Sequence, residues 1–203
     1  MKSSVRVLGF ALFAALFAVS CDNSERLTEP ATVRQQFDHV VPGVDGKQYT
    51  LLEGQIKFKR ATVSKWISRG GGQVILEGDS INGKPTMHVL LVPENAVTKK
   101  TLFTMTIAST SHIKVDLRAQ IEQKHRGETT LVDVGHLGFK EPILLGLDRS
   151  LVANLPVGAN LTVLHDPENG SPFEAVPSTI YAGYEQWVVG YLSHFSKYAL
   201  AMN

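Results

Sequence analysis

From about Tyr49 onward, apolar and polar positions alternate along the chain. Leu52, Gly54, Ile56 and Phe58 are separated by Glu53, Gln55, Lys57 and Lys59, the two-residue period of a strand with one buried face. Strand signals continue over Ala61 to Ile67, and Gly70-Gly71-Gly72 ends them. Gln73 to Glu77 and Thr86 to Val92 flank a turn segment whose Asn82-Gly83 is a strong hairpin signal. Thr101 to Ile107 is rich in threonine, aromatic and β-branched residues, as strands are. His112 to Ala119 alternates again, with Ile113, Val115 and Leu117 on one face and Lys114, Asp116 and Arg118 on the other. Thr129 to Val134, Pro142 to Leu147, Leu161 to His165, Glu185 to Leu192 and Lys197 to Ala201 complete the set. No stretch carries a long helical repeat, although Leu151 to Leu155 could make one turn. Many short strands punctuated by glycine, proline and asparagine predict an all-β chain folded as an antiparallel β-sandwich. Residues 31–48 carry mixed signals, with turns at Pro42-Gly43 and Asp45-Gly46.

The first residues follow a different pattern. Lys2 and Arg6 precede an apolar run from Val7 to Val19 broken only by Gly9, and Ala18-Val19-Ser20 places small residues before Cys21. The run is shorter than the roughly 20 apolar residues of a membrane span, and its layout is that of a secretory signal. Ending on a cysteine, it resembles a bacterial lipoprotein signal, with Ala18 where that family prefers leucine. The resemblance implies that residues 1–20 are removed and that Cys21 carries fatty-acyl chains of the palmitate type. The protein is then exported and anchored to a bacterial membrane, on its periplasmic or cell-surface side. Asp22 to Pro30 is polar and without periodicity, as a tether would be. The organisation expected is therefore signal peptide 1–20, acylated tether and poorly defined lead-in 21–48, and sandwich 49–203.

Composition sharpens this picture in two respects. Cys21 is the single cysteine of the 203 residues, so acylation leaves a domain without a thiol, which must stand on its apolar core. Loss of Lys2 and Arg6 with the signal takes the net charge from +1 to −1. A near-neutral chain without a basic stripe offers no footprint for nucleic acid; Lys57, Lys59 and Arg60 read as one solvated strand face.

Three stretches stand out together. Gly70-Gly71-Gly72-Gln73-Val74-Ile75-Leu76 is a glycine turn feeding a strand. Val89-Leu90-Leu91-Val92-Pro93-Glu94-Asn95-Ala96-Val97 is a strand running into a Pro-x-x-Ala-Val loop, followed by Thr101-Leu102-Phe103-Thr104-Met105. The chain ends on His194-Phe195-Ser196-Lys197-Tyr198-Ala199-Leu200-Ala201. In this order, from about Arg69 onward, they resemble the ZU-five domain, the β-sandwich module of ankyrins, netrin receptors and tight-junction scaffolds. The resemblance implies a β-sandwich that works as an interaction or structural module.

The chemistry-bearing candidates are few. In some ZU-five and related domains a His-Phe-Ser turn cleaves itself. His194 would take the proton of Ser196, whose oxygen attacks the Phe195 carbonyl, and water then hydrolyses the ester. The alternative is that Phe195 and Tyr198 belong to the core while His194 and Ser196 bond the turn. His39, His88, His112, His125, His136, His165 and His194 show no ligand spacing for a metal, although convergence of His88, His112 and His165 would make one. Asp166-Pro167-Glu168-Asn169-Gly170 is turn chemistry rather than a calcium loop. Trp66, Trp187, Tyr181, Tyr184 and Tyr191 could form an aromatic binding face; alternation puts Trp187, Val189 and Tyr191 on one side of their strand and Val188 and Leu192 on the other. Both sides are apolar there, so one could be an interaction surface, against the alternative that both are core. There is no nucleophile elbow and no phosphate-binding glycine loop. The chain therefore reads as a module without enzymatic turnover or cofactor, with a protein or an envelope polymer as its partner.

Overall fold

The computed structural model describes residues 39–54, 61–152 and 155–203. The leader, Cys21, the polar tether and the Lys57, Lys59 and Arg60 cluster lie outside the described residues. In chain order the strands are β1 (Val40–Pro42), β2 (Gln48–Leu51), β3 (Thr62–Ile67), β4 (Gly72–Glu77), β5 (Met87–Val92), β6 (Thr101–Ile107) and β7 (Lys114–His125). They continue with β8 (Glu128–Asp133), β9 (Ile143–Asp148), β10 (Leu161–Asp166), β11 (Glu174–Val176), β12 (Ser178–Thr179), β13 (Trp187–Leu192) and β14 (Lys197–Met202). Single 3-10 turns follow β8 (Gly135–Leu137) and β9 (Arg149–Leu151); the latter ends at Leu151, where the expected helical turn over Leu151 to Leu155 would begin, and 153–154 lie outside the described residues.

The larger sheet runs β1-β2-β14-β7-β6-β3, with β10 on the other edge of β14, β11 on β10, and β8 on β7. The smaller runs β12-β13-β9-β5-β4. The alternation read from the sequence decides which side chains meet between them. Val115, Leu117 and Ala119 of β7 are buried, as are Phe103 and Met105 of β6. They pack with Val74, Leu76, Leu90, Leu145, Leu147 and Val188 of the smaller sheet in one core. The fold is a β-sandwich of two antiparallel sheets, as the alternation predicts.

The lead-in departs from expectation. The larger sheet begins at Val40, inside the stretch expected to be a poorly defined approach to the domain, and β1 pairs β2 in the register Val40↔Thr50 to Pro42↔Gln48. The backbone of Gly43 then bridges Phe173. Val41, Tyr49 and Leu51 close over Leu164, Ala199 and Ala201 to form a second, smaller core. Consequently β14 is buried on both sides, Tyr198 and Leu200 facing the main core and Ala199 and Ala201 the small one. β2 ends at Leu51, and of the strand expected over Leu52 to Lys59 the described residues show a bridge between Glu53 and His112; 55–60 lie outside the described residues.

Two of the three stretches that carry the family resemblance meet in space. Gly71 has φ of +75°, and a Cβ there would lie 2.7 Å from the Val92 carbonyl oxygen. The Asn95 amide donates to the Arg69 carbonyl at 2.8 Å, and the Arg69 Nε–H to the Asn95 side-chain oxygen at 2.6 Å. Asn95 itself takes the left-handed conformation, φ 65°, which asparagine tolerates well. Gly71→Ala combines a left-handed alanine with a backbone clash, so it should lower stability by about 2 kcal/mol in urea unfolding. A loss below about 0.5 kcal/mol would show that the turn can move aside.

Candidate functional site

The outer face of the smaller sheet is built by register. Ile75, Val89, Gly146 and Val189 form one row across β4, β5, β9 and β13, and Gln73, Leu91, Leu144 and Tyr191 form the next. These residues are turned away from the core, and all but Gln73, Gly146 and Tyr191 are aliphatic. Gly146 supplies no side chain, so the Trp187 ring lies against it; a Cβ there would stand 3.3 Å from the indole. The indole Nε1–H donates to the Met87 carbonyl at 2.9 Å, which fixes the ring across three strands. The Tyr184 ring stands beside it, centroids 6.3 Å apart and planes 33° apart. Tyr181 closes the margin, its hydroxyl bonded to that of Tyr191. The resulting groove holds about 350 Å³ and carries no charged side chain in its lining. Leu91 is 42% and Tyr184 64% exposed, an unusual placement for a contiguous apolar surface.

A buried carboxylate holds this face in place. Asp148, the last residue of β9, is fully buried. One of its oxygens accepts from the Met87 amide at 2.9 Å and from the Gln186 side chain at 2.6 Å. The other accepts from the Ser150 amide at 2.9 Å and hydroxyl at 2.6 Å. Gln186 also donates to the Pro85 carbonyl at 2.9 Å, so the segment carrying Tyr184 and Trp187 is tied to β5 and β9 together. His88, buried beneath, accepts from the Asp148 amide through Nδ1 at 3.2 Å. Burial pushes its pKa down to about 4, against the opposing pull of the Asp148 charge.

A larger polar hollow adjoins the groove and shares Tyr184 and Trp187 with it. It holds about 610 Å³ and is bordered by Asn82, Lys84, Arg149 and Glu185. Asn82 (φ 50°) and Gly83 (φ 76°) make the tight turn that presents Lys84, closed by reciprocal backbone bonds of 2.9 Å between Ile81 and Lys84. The Glu185 carboxylate accepts from the Gly183 amide at 2.8 Å. Backbone donors, chiefly that of Gly183, hold its pKa low, and Arg149 adds to the effect.

The remaining candidates are placed as follows. In the His-Phe-Ser turn, Phe195 is buried against Phe139 and Phe103, ring centroids 4.8 and 5.6 Å away, and its amide donates to the Gly135 carbonyl at 2.9 Å. The Ser196 hydroxyl donates to the Asp166 carbonyl at 3.3 Å, while His194 contacts the Tyr198 hydroxyl through Nδ1 at 3.3 Å and through its carbonyl at 2.7 Å. No residue of the turn adopts a positive φ. His88 lies with Asp148 and borders one small cavity with His112, which pairs with His39 at 5.1 Å, while His165 pairs with His194 at 4.7 Å between ring centroids. Burial first, and the neighbouring imidazole second, hold the pKa values of His112 and His165 low. Among the described residues no group of three His, Cys, Asp or Glu is arranged to hold a metal. The carboxylates of the Asp166–Gly170 turn diverge to Lys114 and Lys197, and the Asp166 and Asn169 side chains accept from the Glu168 and Ser171 amides at 2.9 Å. Trp66 stands on β3 of the other sheet, where Lys100 lies 5.3 Å from its ring.

Trp187 and Tyr191 share one side of β13, as alternation predicts, whereas Trp66, expected with them, lies on the other sheet; Gly146, Asp148 and Gln186 join the site with no mark in the local sequence. Apolar residues on both faces of β13 are the signal in the sequence for an uncovered sheet face, and β9 carries the same signal. No family model, no curated protein and no solved structure matches the chain.

Proposed function

We propose that this chain is a lipid-tethered interaction module of the bacterial cell envelope, docking its partner on the outer face of the smaller sheet. The observation that carries the reading is the apolar groove over Gly146, bordered by Trp187, Tyr184 and Leu91. Exposed aromatic surface costs solubility, and a ring fixed by a hydrogen bond to the sheet loses little freedom on binding. The lipoprotein-like leader ending at Cys21 supports the tether. The glycine turn docked on the Pro93–Val97 loop is consistent with a ZU-five-like sandwich.

The test uses the full-length protein in cells that make it, with a photo-cross-linking amino acid at Leu91 or, as control, at exposed Arg118 of the opposite sheet. Discrete adducts are expected at Leu91 and none at Arg118. Membrane fractions should contain the protein, and Cys21→Ser should release it. No adduct at Leu91, or the same adducts at both positions, would sink the docking face; an unchanged membrane fraction in Cys21→Ser would sink the tether.

A further inference from the structure

The groove and the polar hollow share Tyr184 and Trp187 in their linings, and together they narrow the chemistry of the ligand. The groove offers flat ring faces. The hollow offers two cations, Lys84 and Arg149, and the amide of Asn82. Among the described residues neither cation is in a close salt bridge, the pairs present involving Lys47, Lys114, Arg118, His165 and Lys197, although Arg149 acts on Glu185 at longer range. Glu185 is the single carboxylate of the lining; the buried Asp148 carboxylate lies behind it, taken up by the Met87, Ser150 and Gln186 donors. Arg149 is half-buried at the start of its 3-10 turn and lines the hollow together with Tyr184 and Trp187; a guanidinium fork suits a planar anion.

We propose that this composite surface binds an acidic glycan, a chain of pyranose rings carrying carboxylates. The inference rests on the docking reading above and names its ligand. A pyranose ring has an apolar C–H face and a hydroxyl rim, which match an indole and a phenol ring set at 33° beside amide and hydroxyl groups. A sugar carboxylate then meets Arg149 and Lys84. The two volumes, about 350 and 610 Å³, fall within the range of small-ligand sites. An extended acidic peptide fits less well, because peptide recognition by strand addition uses a free sheet edge. Here the ligand lies on the face of β9 and β13, whose backbone groups are already spent in their ladders.

The full-length protein with Trp66→Phe, solubilised in detergent, retains Trp187 as its only indole. Its emission would be titrated with oligogalacturonate and, separately, with a neutral cello-oligosaccharide. A saturable response to oligogalacturonate is expected, weakened about tenfold by Arg149→Glu, by exposed Tyr184→Ala and by raised salt. The neutral sugar should bind about tenfold more weakly. Circular dichroism checks that each variant is folded, and Lys84→Glu, on an exposed turn, repeats the charge test if Arg149→Glu is not. Equal binding of both sugars overturns the proposal. So does silence to oligogalacturonate with a discrete protein adduct at Leu91, an outcome that leaves the docking face standing. Silence together with no adduct overturns both.

Discussion

Asp148→Ala should remove about 3–5 kcal/mol of stability, the largest loss expected from a single polar substitution in this sandwich. The carboxylate is fully buried and accepts four hydrogen bonds, from the Met87 amide, the Ser150 amide and hydroxyl, and the Gln186 side chain. Alanine leaves these donors facing a void. Each buried donor without a partner costs about 1–3 kcal/mol, partly recovered where Ser150, which is exposed, turns to water. Asp148→Asn keeps acceptor capacity but brings its own donors into a donor-lined site, so an intermediate loss is expected. Urea unfolding measures both, with the midpoint falling at an unchanged slope. The substitution should also act at the surface. Gln186 joins Asp148 to the segment that carries Tyr184 and Trp187, so in a Trp66→Phe background the Trp187 emission should shift red in the folded protein. A loss under about 1 kcal/mol would mean that the network is not what holds these strands and loops together.

How much of this could be read in advance depends on the range over which each feature is decided. The inward face of β7 was legible because charge marks the other face: Lys114, Asp116 and Arg118 leave no choice for Val115 and Leu117. In β13 the same period divides Trp187, Val189 and Tyr191 from Val188 and Leu192, yet both sets are apolar, and alternation says only that they part. Burial is decided by partners distant in sequence. A Cβ on Gly190 would stand 3.0 Å from Val163 of β10, whereas Gly146, on the opposite face, lies under Trp187. β1 was illegible for a related reason. Val40-Val41-Pro42 is too short and too proline-bearing to read as a strand, and it exists through pairing with β2 and packing on Ala199 and Ala201. Those alanines look like minor core positions, but their small side chains let Tyr49 and Leu51 approach the sheet. Gly43 does the same from the other side, a Cβ there falling 2.5 Å from the Tyr49 ring. Asp148 reads locally as the cap of the turn that follows it, which it is through Ser150. Its bonds to Met87 and Gln186 span 61 and 38 positions and leave no local trace.

The same buried corner should make the protein acid-sensitive in a window set by His88. Its pKa falls from 6.5 in the open chain to about 4 in the folded one, because burial penalises the charged ring more than Asp148 favours it. Between these values the unfolded chain binds a proton that the folded protein refuses, so stability rises with pH across the window. It is fully present above 6.5, falls as the pH drops, and by pH 4 is lower by about 3 kcal/mol. His112 and His165, also held low, add smaller losses of the same sign. Carboxylates held low, such as Asp166, lose their contribution only at still lower pH, which leaves the upper window to the histidines. His88→Asn keeps an acceptor near the Asp148 amide and does not titrate. Urea unfolding at steps from pH 7.5 to 4 should give a sloping profile for the natural chain and a much flatter one for His88→Asn, whatever its absolute stability. Parallel profiles would mean that the proton is taken up elsewhere, and that His88 is either charged in its corner or reached by water.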